Sequence, residues 1–190
     1  MPHLEIKIID PATEAIVPRG TAGEFCTRGH TVMIGYWENP EATAACLNRG
    51  WMHSGDLATM DNEGYVNIVG RIKDMIIRGG ENVYPREIEE FLYTHPDISD
   101  VQVIGVPSER YGEEVMAWVK AREGASLTPE VLTAYCEGRI ARFKVPRYWK
   151  LMKPGETWPM TISGKVQKYR MREMAVEELG LQKAATVRTA

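Results

Sequence analysis

The sequence predicts an α+β protein in two parts: a small β-rich lobe, then a compact α+β domain whose small central sheet is flanked by helices. Three observations predict it. The first 70 residues are dominated by short β-patterned runs separated by turns rich in Pro and Gly. Charge changes character near Lys73: residues 1–72 hold 5 basic and 9 acidic side chains, whereas residues 73–190 hold 18 and 17. Beyond that point apolar strand runs alternate with helical stripes that need a sheet to cover. The expected parts are a lobe at 1–72, a domain at 73–180 and a frayed tail of small and polar residues at 181–190.

Each element has a local reason. His3 to Ile9 alternates apolar and polar residues with period two, as a strand with one buried face does. Pro11, Pro18 and Gly20 punctuate the chain before a second strand at Glu24 to Thr27. Asn39 can cap a short helix that starts on Pro40 and runs to Leu47. Asp61-Asn62-Glu63-Gly64 has the turn chemistry to join Leu57–Met60 to Tyr65–Val69 as a hairpin. In the second part Met75-Ile76-Ile77 reads as a strand before a Gly79-Gly80 turn. A helix opens at Pro85, with Ile88, Phe91 and Leu92 at i, i+3 and i+4. Val101–Val106 and Glu114–Val119 supply two further strands. Thr128 caps a helix at Pro129, with Leu127 and Leu132 at the two staple positions. A last, basic helix covers Gln167 to Glu178.

Composition narrows the function classes. At 190 residues the chain can bury a sizeable core without disulfide staples, and 44% hydrophobic with 26% charged residues is the balance of a soluble globular protein. A net charge of -3 gives no reason to expect a nucleic-acid or membrane-surface partner. Cys26, Cys46 and Cys136 form no CxxC pair and the four histidines show no ligand spacing, which argues against zinc and against a secreted disulfide framework. The expected compartment is the reducing cytoplasm. No apolar run approaches the roughly 20 residues that span a bilayer, and no targeting leader is visible.

Four segments could carry chemistry. Pro159 to Lys165 ends in a Ser-Gly-Lys turn that exposes Lys165, a flexible point charge able to stabilise anionic oxygens. It lacks the glycine and four-residue spacer of a Walker loop, and in isolation it reads as an ordinary surface loop. Gly70 to Asn82 combines charges with paired glycines, as a solvent-exposed hinge and a close backbone approach require, or as a glycine turn after a strand. In Gly50 to Asp56, Asp56 can accept hydrogen bonds from vicinal hydroxyls, or can form an Asx-type turn. Residues 139–172 hold ten basic side chains against Glu156 alone, either a solvated face or a site for a polyanion such as a nucleotide. RNA binding is weakened by the lack of an aromatic-interleaved strand.

Taken together and in order, these segments resemble the C-terminal portion of the AMP-forming acyl-CoA synthetases, the fatty-acid-CoA ligases of the adenylate-forming superfamily. The likeness runs through Gly23-Glu24-Phe25, Gly35-Tyr36-Trp37, Gly50 to Asp56, Gly70-Arg71-Ile72-Lys73-Asp74, Gly79 to Glu89, Phe143-Lys144-Val145-Pro146 and Thr161 to Lys165. It is nearest to the medium- and long-chain fatty-acid branch. The resemblance implies two half-reactions: a fatty acid and ATP give acyl-AMP and pyrophosphate, then coenzyme A displaces AMP. It implies that Asp56 and Arg71 contact the nucleotide sugar, that Lys73 is the hinge of a rotating C-terminal domain, and that Lys165 is catalytic in adenylation only. Gly79 and Gly80 would line the pantetheine passage, with Phe143, Lys144 and Arg147 toward the nucleotide end of coenzyme A.

The family's Ser/Thr/Gly-rich phosphate loop and its aromatic-Gly-x-Thr-Glu segment are absent from these residues. The chain is therefore expected to be a fragment, the last lobe of an N-terminal domain plus the whole C-terminal domain. Its partner is then the missing N-terminal domain, which holds most of the ATP and its Mg, and the chain alone is expected to be inactive. An apolar face that the missing lobes would cover is expected on residues 1–70. The alternative is a free-standing accessory module that binds coenzyme A or a partner synthetase without catalysis.

Overall fold

The computed structural model describes residues 3–186. By its internal contacts the chain divides into two units, Met1–Lys73 and Asp74–Ala190.

The first unit is one antiparallel sheet. Its strands are β1 (Leu4–Ile9), β2 (Gly23–Gly29), β3 (Leu47–Asn48), β4 (Trp51–Met60) and β5 (Val66–Arg71), with helix α1 at Pro40–Cys46. The long β4 organises the sheet: β2 pairs with it, β1 pairs with β2, and β3 and β5 pair with β4 near its two ends. The expected hairpin forms, closed by Asp61 Oδ1, which accepts from the Glu63 and Tyr65 N–H groups at 2.9 and 2.8 Å. Asn39 caps α1 by accepting from the Ala42 N–H at 2.9 Å.

β1 departs from the expected alternation, because Ile8 and Ile9 are both buried while Ile6 is exposed. The chain after β1 turns back along the free edge of the strand, with an Ile9–Ile16 bridge and a Val17 N–H to Ile8 carbonyl bond of 3.0 Å, so the end of this edge strand is enclosed by backbone on both sides. Gly23 permits this crowding, since a Cβ there would lie 2.4 Å from the Ile9 carbonyl oxygen. Ile16, Ile34, Trp37 and Tyr65 are exposed.

The second unit builds its sheet around a long hairpin, β8 (Ile98–Ser108) with β9 (Gly112–Ala121). β10 (Tyr148–Leu151) runs parallel to β9, and β6 (Ile76–Arg78) meets it through Arg78 opposite Gly112, with β7 (Glu81–Val83) paired to β6. β9 shows why the sheet is buried on both faces. Val115, Ala117 and Val119 join one apolar cluster, while Met116 and Trp118 between them join the other. Helices α2 (Pro85–Leu92) and α3 (Pro129–Cys136) cover the first cluster through Ile88, Leu92, Leu132 and Cys136. Helix α4 (Lys168–Glu178) covers the second through Met171 and Ala175. Thr128 caps α3 by accepting from the Val131 N–H at 3.3 Å, and both staple leucines are buried.

The tail differs from the frayed segment expected at 181–190. Gln182–Thr186 forms a short helix, α5, with Ala184 buried, and Leu181 packs against the second cluster. The contact is tertiary, so the composition of the segment does not reveal it. Residues 187–190 lie outside the described residues.

Among the described residues no helix is long and apolar enough to cross a membrane. All three cysteines are unpaired. Burial pushes the Cys26 and Cys136 thiols up to about 11, with the Glu24 charge adding to the effect at Cys26. These thiols stay protonated in the fold after the unfolded chain has begun to ionise at about 9. Stability is therefore expected to be intact below pH 9 and to fall between pH 9 and about 11, read as a declining midpoint in urea melts. Alanine at both positions should flatten that alkaline slope.

Candidate functional site

Asp56 lies in the middle of β4 rather than in an Asx-type turn. Its cross-strand partner on β5 is Arg71, whose Nε donates to Asp56 Oδ1 at 3.2 Å. The two residues expected at one nucleotide sugar are thus neighbours in the sheet. They are 35% and 51% exposed, so the pair is solvated and contributes little to stability, which leaves both groups available to a ligand.

The segment before Asp56 is tied to β2. The Ser54 hydroxyl donates to the Phe25 carbonyl at 2.7 Å and accepts from the Asp56 N–H at 3.0 Å. Glu24 Oε1 accepts from the Gly55 N–H at 3.1 Å, and Glu24 Oε2 accepts from His53 Nδ1 at 2.8 Å. Glu24, Cys26 and His53 bring three ligand-type atoms within 4.8 Å of one another. Sequence spacing had argued against such a cluster. Strand pairing creates it, since Cys26 and His53 face each other across β2 and β4.

Lys73 sits in a 3-10 turn, Ile72–Asp74, and the division between the units falls directly after it.

Lys165 is exposed on a turn that is braced rather than loose. Met160 and Val166 form a bridge, the Thr161 N–H donates to the Lys165 carbonyl at 2.8 Å, and the Lys165 N–H donates to Thr161 Oγ1 at 3.0 Å. Gly164 supplies the required positive φ of 79°. Lys165's ammonium makes no hydrogen bond or ion pair among the described residues. Three residues on, Lys168 anchors the start of α4, its Nζ donating to Glu89 Oε1 at 2.6 Å and to the Val103 carbonyl at 3.1 Å.

Gly79 and Gly80 form the β6–β7 turn with φ of 60° and 89°. The Gly79 N–H donates to the Tyr111 carbonyl at 2.8 Å, and a Cβ on Gly79 would lie 3.2 Å from the Tyr111 ring. Beside the turn, Arg78 forks onto the buried Glu114 carboxylate at 2.6 and 3.2 Å and stacks 4.4 Å from the Tyr111 ring centre. Both glycines line an open groove of about 1250 Å³ together with Tyr111, Arg110, Arg172 and Val176.

The remaining three residues divide. Arg147 is exposed beside Tyr148, and interaction with Tyr148, Glu114 and Tyr111 holds its guanidinium above the ordinary value. That places it near the cluster that supports the glycine turn. Phe143 packs against the first apolar cluster from a 3-10 turn, Arg142–Lys144, and Lys144 is held by Glu87 of α2.

The basic stretch is less basic in space than in sequence. Lys144, Lys150, Lys168 and Arg172 are paired with Glu87, Glu178, Glu89 and Glu113, three of which lie outside residues 139–172 on the N-terminal side and one beyond it. The run therefore does not form one continuous anion surface, and Lys165 is among the cations left unpaired. Sequence reasoning missed Glu24, His53, Arg78, Tyr111 and Glu114. For Glu24, His53, Arg78 and Glu114 the only local signal was a charged or ring side chain inside a strand run, where burial forces it to find a partner, and for Tyr111, in the β8–β9 turn, there was none.

The AMP-binding enzyme C-terminal domain family matches residues 87–165. A Bacillus subtilis (strain 168) protein carrying the name acyl-CoA synthetase YngI is 54% identical over 95% of this chain and 33% of its own length. The mitochondrial medium-chain acyl-CoA ligase ACSF2 of Danio rerio is 50% identical over 95% of this chain and 29% of its own. The chain thus spans about a third of the curated relatives it matches. ATP-bound MatB from Rhodopseudomonas palustris superposes with a TM-score of 0.85 at 36% identity, over 92% of this chain and 34% of that one. Bacillus subtilis o-succinylbenzoate CoA synthetase (MenE), in complex with its acyl-adenylate intermediate OSB-AMP, gives 0.82 at 30% identity over 90% and 34%. Residues 87–165 thus match the AMP-binding enzyme C-terminal domain family, and the chain as a whole is similar to a C-terminal portion of the acyl-CoA synthetases.

Proposed function

We propose that this chain is part of a ligase that activates a medium- or long-chain fatty acid with ATP and transfers the acyl group to coenzyme A. The observation that carries the reading is the exposed, unpaired Lys165 ammonium on a turn fixed by Thr161. In the first half-reaction a carboxylate oxygen attacks the α-phosphorus and pyrophosphate leaves. Lys165 stabilises the charge that develops on the phosphoryl and carboxyl oxygens. Asp56 and Arg71 hold the ribose. In the second half-reaction the thiol sulfur of coenzyme A attacks the acyl carbonyl and AMP leaves. Gly79 and Gly80 give the pantetheine arm room, with Phe143, Lys144 and Arg147 toward the nucleotide end. Lys73 is the hinge that lets one unit change its role between the steps.

ATP and coenzyme A are substrates in this reading. The Mg that accompanies ATP is held by residues outside this chain, as is most of the triphosphate. Three unpaired cysteines fit a reducing compartment, cytoplasmic by default, although relatives named as mitochondrial admit a second one. The chain by itself is expected to form no acyl-adenylate from fatty acid, ATP and magnesium. Pyrophosphate exchange above background with the purified chain would overturn that.

One observation favours a second reading, a module that binds coenzyme A without catalysis: Gly79, Gly80 and Arg147 all belong to the second unit. Calorimetric titration of the chain with coenzyme A separates the two. A ligase fragment should bind weakly, whereas a dedicated module should bind tightly and lose at least about tenfold in affinity on Arg147→Ala.

A further inference from the structure

We propose that Glu24 is a positioning residue for nucleotide binding, holding the strand segment that presents Asp56. The inference rests on the reading of Asp56 as the ribose contact. Glu24 is 7% exposed, one of few buried charged or polar residues among those described. Burying a carboxylate is costly unless its oxygens are used. Both are used, and on the same short segment: Oε1 takes the Gly55 N–H and Oε2 takes His53 Nδ1.

The segment needs holding. Gly55 has a φ of 71°, and the β2–β4 register shifts between Glu24 and Cys26, so the β2 ladder skips Ser54 to Asp56 between the Cys26–His53 and Glu24–Leu57 pairs. Each of the three residues before Asp56 is instead tied to β2 by a side-chain bond: His53 and Gly55 to Glu24, and Ser54 to the Phe25 carbonyl. Ser54 then receives the Asp56 N–H, and Asp56 meets Arg71 across the sheet. The buried thiol of Cys26, 3.7 Å from His53 Nδ1, stays neutral and does not compete for the imidazole proton. Displacing Asp56 by even about 1 Å is enough to weaken a hydroxyl contact severely.

The test uses steady-state kinetics of the intact ligase with Glu24→Ala, Glu24→Gln, Ser54→Ala, Asp56→Ala and the Glu24→Ala/Asp56→Ala double variant. Glu24→Ala is expected to raise KM for ATP about 10-fold and leave KM for the fatty acid unchanged. Glu24→Gln, whose amide oxygen can still accept from Gly55, should recover most of that loss. KM does not depend on how much of the enzyme is folded, so poor yield does not mimic the effect. The double variant should bind ATP no more weakly than Asp56→Ala alone, because Glu24 acts through Asp56.

If Asp56→Ala leaves KM for ATP unchanged, the reading of Asp56 itself fails. If Asp56→Ala raises it but Glu24→Ala does not, or if the two losses multiply, the role given to Glu24 alone is overturned. Should Glu24→Ala give no folded enzyme, Ser54→Ala carries the test: it is expected to raise KM for ATP about threefold, again without multiplying the Asp56→Ala loss, and an unchanged KM counts against the inference.

Discussion

Lys165→Ala in the intact ligase is expected to slow acyl-adenylate formation by about 10²–10³-fold, the usual loss when one preorganised charge-stabilising group is removed. Thioester formation from supplied acyl-adenylate and coenzyme A should change by less than about threefold. The split follows from where charge develops. Negative charge builds on phosphoryl oxygens during adenylation, so a cation placed there lowers that barrier, whereas the second half-reaction breaks a bond already activated. Nothing in the second unit neutralises Lys165 among the described residues, and the Thr161 hydroxyl and carbonyl hold the turn that carries it. Pyrophosphate exchange and single-turnover thioester formation measure the two steps separately. Equal losses in both would refute the role given to Lys165.

Trp118→Ala should destabilise the second unit by about 3–5 kcal/mol, as truncating a fully buried large aromatic does. Domains of this size are stable by roughly 5–15 kcal/mol, so the variant should be close to unfolding at 37 °C. Trp118 is fully buried at the centre of the second apolar cluster, between β9 and α4, with the Lys150 ammonium 4.3 Å from its ring centre. Its indole N–H meets no acceptor among the described residues. Trp118→Phe therefore removes an unpaired donor along with some volume, and should cost well under half as much as alanine. Urea denaturation of the chain gives both values, with the exposed Val131→Ala as a control expected within about 0.5 kcal/mol of the parent. A loss below about 1 kcal/mol for Trp118→Ala would mean that the second cluster is not a packed core.

Much of the architecture was legible from local chemistry. The caps at Asn39 and Thr128, the Pro85 helix start with its Ile88 and Leu92 stripe, and the Asp61 turn act over a few residues, and all formed as read. β3, β7 and β10 were not legible. They are two to four residues long and owe their existence to a neighbouring strand rather than to their own pattern. β1 was read as a strand but with the wrong burial, because the segment that pairs along its free edge at Ile9 turns back only in three dimensions. The residues proposed for the site, Asp56, Arg71, Lys73, Gly79, Gly80, Arg147 and Lys165, were found through ordered segments resembling a family rather than through geometry.

The sequence by itself determined the longer strands and the capped helices, the change of charge character at Lys73, the family likeness and the identity of the lysine proposed for catalysis. The tertiary structure decided which charges remain free. Lys168 is neutralised by Glu89 from 79 positions away and Arg172 by Glu113 from 59, whereas Lys165, which precedes both in the same stretch, is left exposed. It also decided that Glu24 and His53, 29 residues apart, hold the strand that carries Asp56. The physical reason is range: capping, turn and periodicity preferences act within a turn or two of chain, while ion pairs and buried hydrogen bonds depend on which strands become neighbours once the sheet is formed.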